Sequence, residues 1–441
     1  GYKLGDYLGR YGVEMEWEAK LKGQRGGRQD EADAAGRQLQ ILREISPEPG
    51  HNLILTLDTQ LQLEAERALE GKAGAIVAMD PNTGDILAMA SSPAFDQNQF
   101  VRGFTPSEWQ AIVDHPLHPL ENKAIQGQYP PGSTFKPVLV AAALEEGVIE
   151  PQTKLTCYGE YRLGNHVYRC WKKGGHGEIA LYQALVQSCD IYFYQLGQSL
   201  GVDRMADYAR RFRLGSRTKV RLNNEARGLV PTSRWKLRRF GVRWQKGEDL
   251  VTAIGQGFLL VTPIQMSVFY AAIANGGVFV KPRVVMRVED ADGEVLENVQ
   301  PEAFGRLDLR PNALAFIQRA LEGVVQEPRG TGRAALLPDK LRGVRVAGKT
   351  GTAQVVRAPE DDEEGDQSEV PYKFRDHAWF VAYAPAEAPE IVVTVLVEHG
   401  GHGGSAAAPL ARQIMETYFK NRPPVQEAQG EAGGWQQAAG R

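Results

Sequence analysis

The stretch Pro131-Gly132-Ser133-Thr134-Phe135-Lys136-Pro137 places a hydroxyl and an amine three residues apart, where a Gly-Pro loop gives way to an apolar run. If the run is helical, Ser133 and Lys136 lie on one face of the helix. A serine hydroxyl is a weak nucleophile and needs a base, which a lysine provides when its pKa is lowered. The stretch predicts acyl transfer, although Ser-x-x-Lys alone also occurs on solvated helix surfaces.

Two further motifs follow in the order that this chemistry requires. Ser188-Cys189-Asp190 comes 55 residues after Ser133, and Lys349-Thr350-Gly351-Thr352 lies nearer the C-terminus. Together the three motifs are typical of serine β-lactamases and penicillin-binding proteins. From about residue 50 to about residue 420 the chain resembles the class B penicillin-binding proteins, a resemblance that Gly255-Gln256-Gly257 and Arg329-Gly330-Thr331-Gly332 extend.

The resemblance implies an α/β fold of the penicillin-binding transpeptidase type, which is similar to that of serine β-lactamases. We expect an antiparallel sheet flanked by helices, an all-helical half with helical spacing over 180–213, and a remnant of an N-terminal pedestal domain. We expect three parts: 1–50 as partial pedestal and linker, 51–420 as the transpeptidase domain, and 421–441 as a disordered tail. Near the C-terminus the pattern predicts strands at Val344–Val356, His377–Tyr383 and Ile391–Glu398, and a helix at Ala406–Tyr418.

The resemblance also assigns roles to the motif residues. Ser133 is implied as the nucleophile and Lys136 as the base for acylation. Ser188 would relay a proton to the leaving amine, and Lys349 would add positive charge beside it. The third residue of the middle motif is Asp190, where Asn is commoner; because an ionised Asp only accepts hydrogen bonds, its role includes pairing with a lysine.

The Lys-Thr-Gly strand is implied to bind substrate. The backbone N–H groups of Ser133 and Thr352 would form the oxyanion hole, and the Thr350 and Thr352 hydroxyls would hold the carboxylate of substrate or penicillin. A side chain at Gly351 would collide with substrate lying along the strand edge.

The resemblance implies a peptidoglycan D,D-transpeptidase that cross-links stem peptides and is acylated and inhibited by β-lactams. Aspartate at position 190 favours the cell-elongation branch, of the penicillin-binding protein 2 type. No glutamate is identifiable as the activator of a deacylating water, so we expect an amine acceptor instead. The alternatives are a division-type transpeptidase, a β-lactamase, or a β-lactam sensor domain that only acylates.

Three cysteines fall within 33 residues, and a histidine lies six residues after the second. Cys157, Cys170, Cys189 and His176 form a donor set suited to a closed, structural zinc site. An odd number of thiols cannot all pair as disulfides. The alternatives are a Cys157 to Cys170 disulfide or three buried thiols, and His166 is a rival ligand to His176. The resemblance adds support, since some elongation-type transpeptidases carry a zinc in this region.

Bulk composition excludes a nucleic-acid binder, since the net charge is -3. Between Arg204 and Lys246, however, fourteen Lys or Arg face two acids, which indicates a solvated basic face or attraction to an anionic lipid surface or substrate. No apolar run is long enough to span a membrane. The resemblance implies a single-pass anchor before Gly1, a periplasmic catalytic domain, and two partners: a membrane glycan polymerase and a shape-determining scaffold protein.

Overall fold

The computed structural model describes residues 7–35, 37–341, 343–355 and 371–420. The acidic run at 360–366, predicted as a strand connection, and the predicted tail at 421–441 lie outside the described residues. Within them, no helix is both long enough and apolar enough to cross a membrane.

Runs of strands and runs of helices follow one another along the described chain. The strands are β1 Gly27–Ala32, β2 Gln38–Ile45, β3 Asn52–Leu55, β4 Gly74–Met79, β5 Ile86–Ser92, β6 Lys154–Cys157, β7 Glu160–Leu163, β8 His166–Arg169, β9 Gly177–Ala180, β10 Val278–Val280, β11 Val285–Glu289, β12 Val295–Asn298, β13 Ala303–Arg306, β14 Ala347–Ala353, β15 His377–Ala384 and β16 Ile391–Val397. The helices are α1 Gly12–Glu16, α2 Glu18–Leu21, α3 Thr59–Ala68, α4 Gln97–Arg102, α5 Pro106–Val113, α6 Lys136–Glu145, α7 Leu181–Val186, α8 Asp190–Arg211, α9 Ser233–Phe240, α10 Lys246–Ala253, α11 Pro263–Ala274, α12 Pro311–Gln326, α13 Gly403–Ala406 and α14 Ala408–Lys420.

A five-stranded antiparallel sheet organises the molecule, with strand order β14-β15-β16-β4-β5. Both of its faces are covered, so the inner strand β16 reads as the nearly continuous apolar run Ile-Val-Val-Thr-Val-Leu-Val. Its one polar residue, Thr394, is buried and its hydroxyl bonds the Ser267 hydroxyl at 2.8 Å. The strand that carries the Lys-Thr-Gly motif, β14, lies at the sheet edge, where one side of its backbone pairs with no other strand of this sheet.

Two hydrophobic cores lie on opposite faces of this sheet. Alternate residues of β16 divide between them: Val392 and Leu396 join one core, and Val393 and Val395 join the other. The first core continues into α6, α8 and α11, which form the predicted all-helical half. The second is closed by α3 and α14. The predicted antiparallel sheet flanked by helices is confirmed.

The N-terminal segment packs on a separate small sheet of order β12-β11-β3 through Trp17, Val285 and Val288. Between α2 and β3 in the chain, β1 and β2 form an exposed antiparallel hairpin.

The predicted helical segment 180–213 is not continuous. It consists of α7 and α8, separated by Gln187, Ser188 and Cys189. Ser188 has φ 56°, a left-handed conformation that a helix does not accommodate. The helical spacing on either side of the break conceals it in the sequence.

Candidate active site and metal centre

The predicted nucleophile lies in a tight turn rather than inside a helix. Residues 132–135 form a 3-10 turn, and α6 begins at Lys136, with Pro137 in its first turn as predicted. Gly132 has φ +55°, and a Cβ there would lie 2.5 Å from the backbone oxygen of Thr352. Only glycine allows this approach, which presses the turn of Ser133 against the edge of β14.

The break between α7 and α8 brings Ser188 to the same place. The Lys136 Nζ lies 3.1 Å from the Ser188 Oγ and 2.9 Å from the Ser188 backbone oxygen. From the other side, the Lys349 Nζ donates to the Ser188 Oγ at 2.9 Å. Both lysine side chains are fully buried. One hydroxyl therefore bridges two buried amines.

Asp190 neutralises one of these amines. Its Oδ1 lies 2.7 Å from the Lys136 Nζ, so the predicted pairing with a lysine is present. Its other oxygen accepts a hydrogen bond from the Trp171 backbone N–H at 3.1 Å. Burial raises the pKa of Asp190, and the Lys136 ammonium opposes that rise.

Lys349 forms no ion pair with any carboxylate of the described residues. Burial, and then the positive charge of Lys136, lower the pKa of Lys349 well below its usual range, although the charge of Asp190 acts on it from a distance and raises its pKa. The neutral amine is therefore favoured at Lys349.

The hydroxyl of Ser133 makes no hydrogen bond to any described residue, and the residue is partly exposed. The structure thus joins Lys136, Ser188, Asp190 and Lys349 in one hydrogen-bond network. The Ser133 hydroxyl is not bonded to this network. Hydrogen bonds of a catalytic base are often long before substrate binds.

Two side chains outside the three motifs, those of Thr331 and Gln256, form hydrogen bonds with β14. The Thr331 Oγ1 lies 2.7 Å from the Thr350 Oγ1. The Gln256 Nε2 donates to the Thr352 backbone oxygen at 3.0 Å, and its Oε1 accepts from the Gln354 N–H at 3.2 Å. Both residues lie in stretches that resemble the family, which was the only signal for them in the sequence.

Packing within the protein itself requires glycine at position 351, apart from any collision between a side chain there and substrate. A Cβ there would lie 2.8 Å from the Pro131 backbone oxygen and 2.9 Å from the Thr134 Cγ2. Glycine at this position lets the turn before Ser133 pack directly on β14.

The predicted metal ligands meet behind the Ser188 turn. The Sγ atoms of Cys157, Cys170 and Cys189 and one ring nitrogen of His176 all lie within 4.8 Å of one another. The His176 Nδ1 lies 3.6 Å from the Cys157 Sγ and 3.5 Å from the Cys170 Sγ. A tetrahedral zinc with ordinary bond lengths would separate sulfur and nitrogen by about 3.6 Å.

Two of the three rival arrangements differ from this geometry, whereas three buried free thiols are compatible with it. All three cysteines are free in the structure, so the Cys157 to Cys170 disulfide is absent. His166 is exposed on β8 and does not belong to the cluster.

The charges of the cluster also suit a cation. Hydrogen bonding from the Cys189 thiol lowers the pKa of Cys157 and of Cys170 to about 4. Burial opposes a charged His176, but hydrogen bonds to the same two sulfurs outweigh it and raise its pKa. Adjacent thiolates that share one proton are a donor set for a soft metal ion.

An antiparallel sheet whose edge strand meets Ser133, Ser188 and two lysines is the architecture of the penicillin-recognising serine acyltransferases. The family model for the penicillin-binding protein transpeptidase domain matches residues 74–416, and the one for the penicillin-binding protein dimerisation domain matches 1–55. The chain belongs to the penicillin-binding protein transpeptidase family.

Similar proteins cover most of the chain. The peptidoglycan D,D-transpeptidase MrdA of Acinetobacter baumannii is 37% identical over 98% of this chain and 64% of its own length. Its namesake in Escherichia coli K12 is 36% identical over 94% of this chain and 66% of its own length. The chain thus spans just under two thirds of these relatives.

Solved structures agree. Pseudomonas aeruginosa PBP2 in complex with WCK 5153 has a TM-score of 0.77 and 36% identity, covering 93% of this chain and 82% of that one. A complex between PBP2 and MreC from Helicobacter pylori has a TM-score of 0.82 and 32% identity, covering 94% and 72%.

Proposed function

We propose that this chain is a peptidoglycan D,D-transpeptidase of the cell-elongation type, acting through an acyl-Ser133 intermediate. One observation carries the proposal: the Ser188 hydroxyl bridges the buried amines of Lys136 and Lys349 beside the turn of Ser133. We assign 51–420 to the transpeptidase domain and 1–50 to part of a pedestal. The relatives named MrdA support the elongation branch.

The network provides a route for the proton of the nucleophile. In the resting state Lys136 forms an ion pair with Asp190, and Lys349 is a neutral amine. Lys136 passes a proton through the Ser188 hydroxyl to Lys349, which leaves a neutral amine beside Ser133. That amine accepts the Ser133 proton as the oxygen attacks the substrate carbonyl. Ser188 and the lysines then return a proton to the departing amine.

The close approach of Gly132 to Thr352 supports the proposed oxyanion hole. It packs the turn of Ser133 against Thr352 of β14, so that the backbone N–H groups of the two residues would together stabilise the developing negative charge. The hydroxyls of Thr350 and Thr352 would receive the substrate carboxylate, with Thr331 orienting the first of them.

Labelling with a fluorescent penicillin tests the assignment. We expect the wild type to be labelled stoichiometrically and Ser133→Ala to remain unlabelled while keeping the wild-type melting temperature. Equal labelling of the two proteins would overturn the nucleophile and the function together.

Two further assays separate the rival functions. Transfer of an acyl group to a D-amino acid acceptor is expected of the transpeptidase, and its absence in a labelled protein would indicate a sensor. Rapid turnover of a chromogenic cephalosporin would indicate a β-lactamase.

We propose further that Cys157, Cys170, His176 and Cys189 bind a structural zinc ion. Four protein ligands leave no open position, so the ion would supply no chemistry to substrate and would only fix the loops that carry it. Trp171 and Asp190 follow two of these ligands directly, and the Trp171 N–H bonds the Asp190 carboxylate. The donor set would therefore hold Asp190 against Lys136 from behind.

Metal analysis of the purified protein tests the zinc site. We expect one zinc per chain in the wild type, loss of the metal in Cys170→Ser, and a lower melting temperature for that variant. His166→Ala, which alters the rival ligand, should retain the metal. The site would be contradicted if the wild type contained no metal, was fully labelled by penicillin, and had the same melting temperature as Cys170→Ser.

We propose that the protein works at the outer face of the cytoplasmic membrane, held by an anchor that precedes this sequence, with a membrane glycan polymerase and a scaffold protein as partners. The Helicobacter pylori complex of PBP2 with MreC supports the scaffold partner, and the match of residues 1–55 to the dimerisation family supports the pedestal to which such a partner would bind. Co-purification of the membrane-anchored protein with each partner tests it.

A further inference from the structure

A basic and aromatic surface lies on α9 and the loop that leads into α10. Its cations are Arg234, Arg238, Arg239, Arg243 and Lys246, all of them exposed. None has an ion pair or side-chain hydrogen bond with any described residue. We call these residues, with the rings described next, the α9 surface.

Three acids on or against α9 and α10 have partners within the chain. Asp203 accepts hydrogen bonds from the Ser233 N–H at 2.9 Å and from the Ser233 hydroxyl at 2.6 Å. Glu248 holds the Lys236 ammonium at 2.5 Å. Asp249 accepts hydrogen bonds from the Trp244 Nε1 and the Val202 N–H, each at 2.9 Å. None of these acids forms an ion pair with the five cations of the α9 surface, which is basic although the whole chain is slightly acidic.

Aromatic rings run through the middle of this charge. Trp235, Phe240 and Trp244 each pack on Phe258, with ring centroids 5.3, 5.4 and 6.3 Å away. Phe240 keeps 51% of its surface exposed. Arginines that surround open aromatic faces suit a ligand with both carboxylates and apolar ring faces.

The surface is continuous with the candidate catalytic site. Phe258 follows Gln256 by two residues, and Gln256 bonds the Thr352 backbone oxygen on the edge of β14. Gly257, between them, is exposed. A polymer whose reactive end lies on β14 can therefore extend across Phe258 to α9.

We propose that the α9 surface binds the glycan-peptide strand that carries the reacting stem peptides. The inference rests on the proposed transpeptidase function and extends its substrate site beyond β14. Peptide carboxylates along such a strand pair with the arginines, and the faces of its sugar rings lie on Phe240 and its neighbours. A membrane surface is the less favoured ligand, because the rings pack on one another and join the catalytic edge.

The decisive experiment measures binding of soluble, uncross-linked glycan-peptide strands to the protein. The double variant Arg238→Glu/Arg239→Glu should bind about tenfold more weakly than wild type, which corresponds to about 1.4 kcal/mol in total, or about 0.7 kcal/mol for each exposed charge pair that is lost. Binding of the wild type should also weaken as salt rises. Phe240→Ala should reduce binding without changing the salt dependence.

A matched control carries the same charge change elsewhere. Arg67→Glu/Arg412→Glu alters an exposed arginine on α3 and a half-buried one on α14, behind the sheet, and should bind strands like wild type. Penicillin carries no glycan and should label all of these proteins equally. Equal strand binding by the α9 variant and the control would overturn the proposal.

Vesicles of phosphatidylglycerol provide the competing ligand. Loss of vesicle binding in the α9 variant, with strand binding intact, would assign the surface to lipid and refute the proposal. The two failures are distinguishable: absence of Ser133 labelling refutes the transpeptidase function, whereas normal labelling with unaltered strand binding refutes only the α9 surface.

Discussion

Lys349 carries the pH dependence expected of the site. Because burial lowers its pKa, the amine is neutral over a range where an exposed lysine is charged. As pH falls through this lowered pKa, Lys349 becomes protonated and can no longer accept the proton that Lys136 passes through Ser188. We predict that the rate of acylation by penicillin falls with falling pH.

Stopped-flow rates of acylation, measured from about pH 5 to about pH 9, check this prediction. Lys349→Arg keeps a positive charge that cannot be lost, so it should be acylated slowly at every pH. Its acylation rate should therefore not show the fall toward low pH that is expected of the wild type. A wild-type rate that is constant or rises toward low pH would contradict the proton route.

Thr331 acts through its neighbour rather than on substrate. Its hydroxyl fixes the rotamer of Thr350, so Thr331→Val should lower the efficiency of acylation by about 3- to 10-fold, the worth of one hydrogen bond. Thr331→Ser keeps the hydroxyl and should restore it. Equal loss in both variants, or a loss that follows the melting temperature, would show that only packing matters.

At the scale of elements, the approach of one turn to one strand holds the site together. Gly132→Ala would strain a left-handed residue and press a Cβ against the Thr352 backbone oxygen. Displacing one oxyanion donor costs about 100-fold or more in rate. We predict that loss in penicillin acylation for Gly132→Ala.

Gly147→Ala is the matched control, because Gly147 has φ +64° but a Cβ added there would meet no atom within 4 Å. It should lose about 1 kcal/mol of stability from the same backbone strain and keep full acylation. Similar acylation in the two variants would mean that the contact between the turn and β14 does not set the rate.

The sequence predicted the local features of these elements well, but it did not predict the contacts between elements that are distant in the chain. Pro137 and the apolar run behind it identified α6, and the three motifs identified the residues of the network. The left-handed Ser188 was not predicted, because the side chains on either side keep helical spacing. The bond between Thr331 and Thr350 joins residues 19 apart whose proximity depends on the packing of α12 on β14.

The cysteine cluster could be predicted for a different reason. Few side chains suit a soft cation, and the sequence contains only three cysteines and eight histidines. The amino-acid composition alone therefore left few candidate metal ligands. The sequence could not decide between His166 and His176, since both lie in the same hairpin region. The fold separates them by exposing β8 and by turning His176 toward Cys157 and Cys170.

At the scale of the whole molecule, the five-stranded sheet couples two cores. Ile273 of α11 is fully buried in the first core, and Ile414 of α14 is fully buried in the second. β16 contributes alternate side chains to both. Loosening either core therefore loosens the strand to which β14 is attached through β15.

We predict that Ile273→Ala and Ile414→Ala each destabilise the protein by about 2–5 kcal/mol, the usual loss for a large buried side chain. Each should shift one common transition, with circular dichroism and penicillin labelling lost together, because both cores share the sheet. Val295→Ala, at a residue 49% exposed on β12, should change neither signal. If Ile414→Ala instead produced a separate early transition with labelling intact, α14 would be an independent layer, and the geometry at Ser133 would depend on the first core alone.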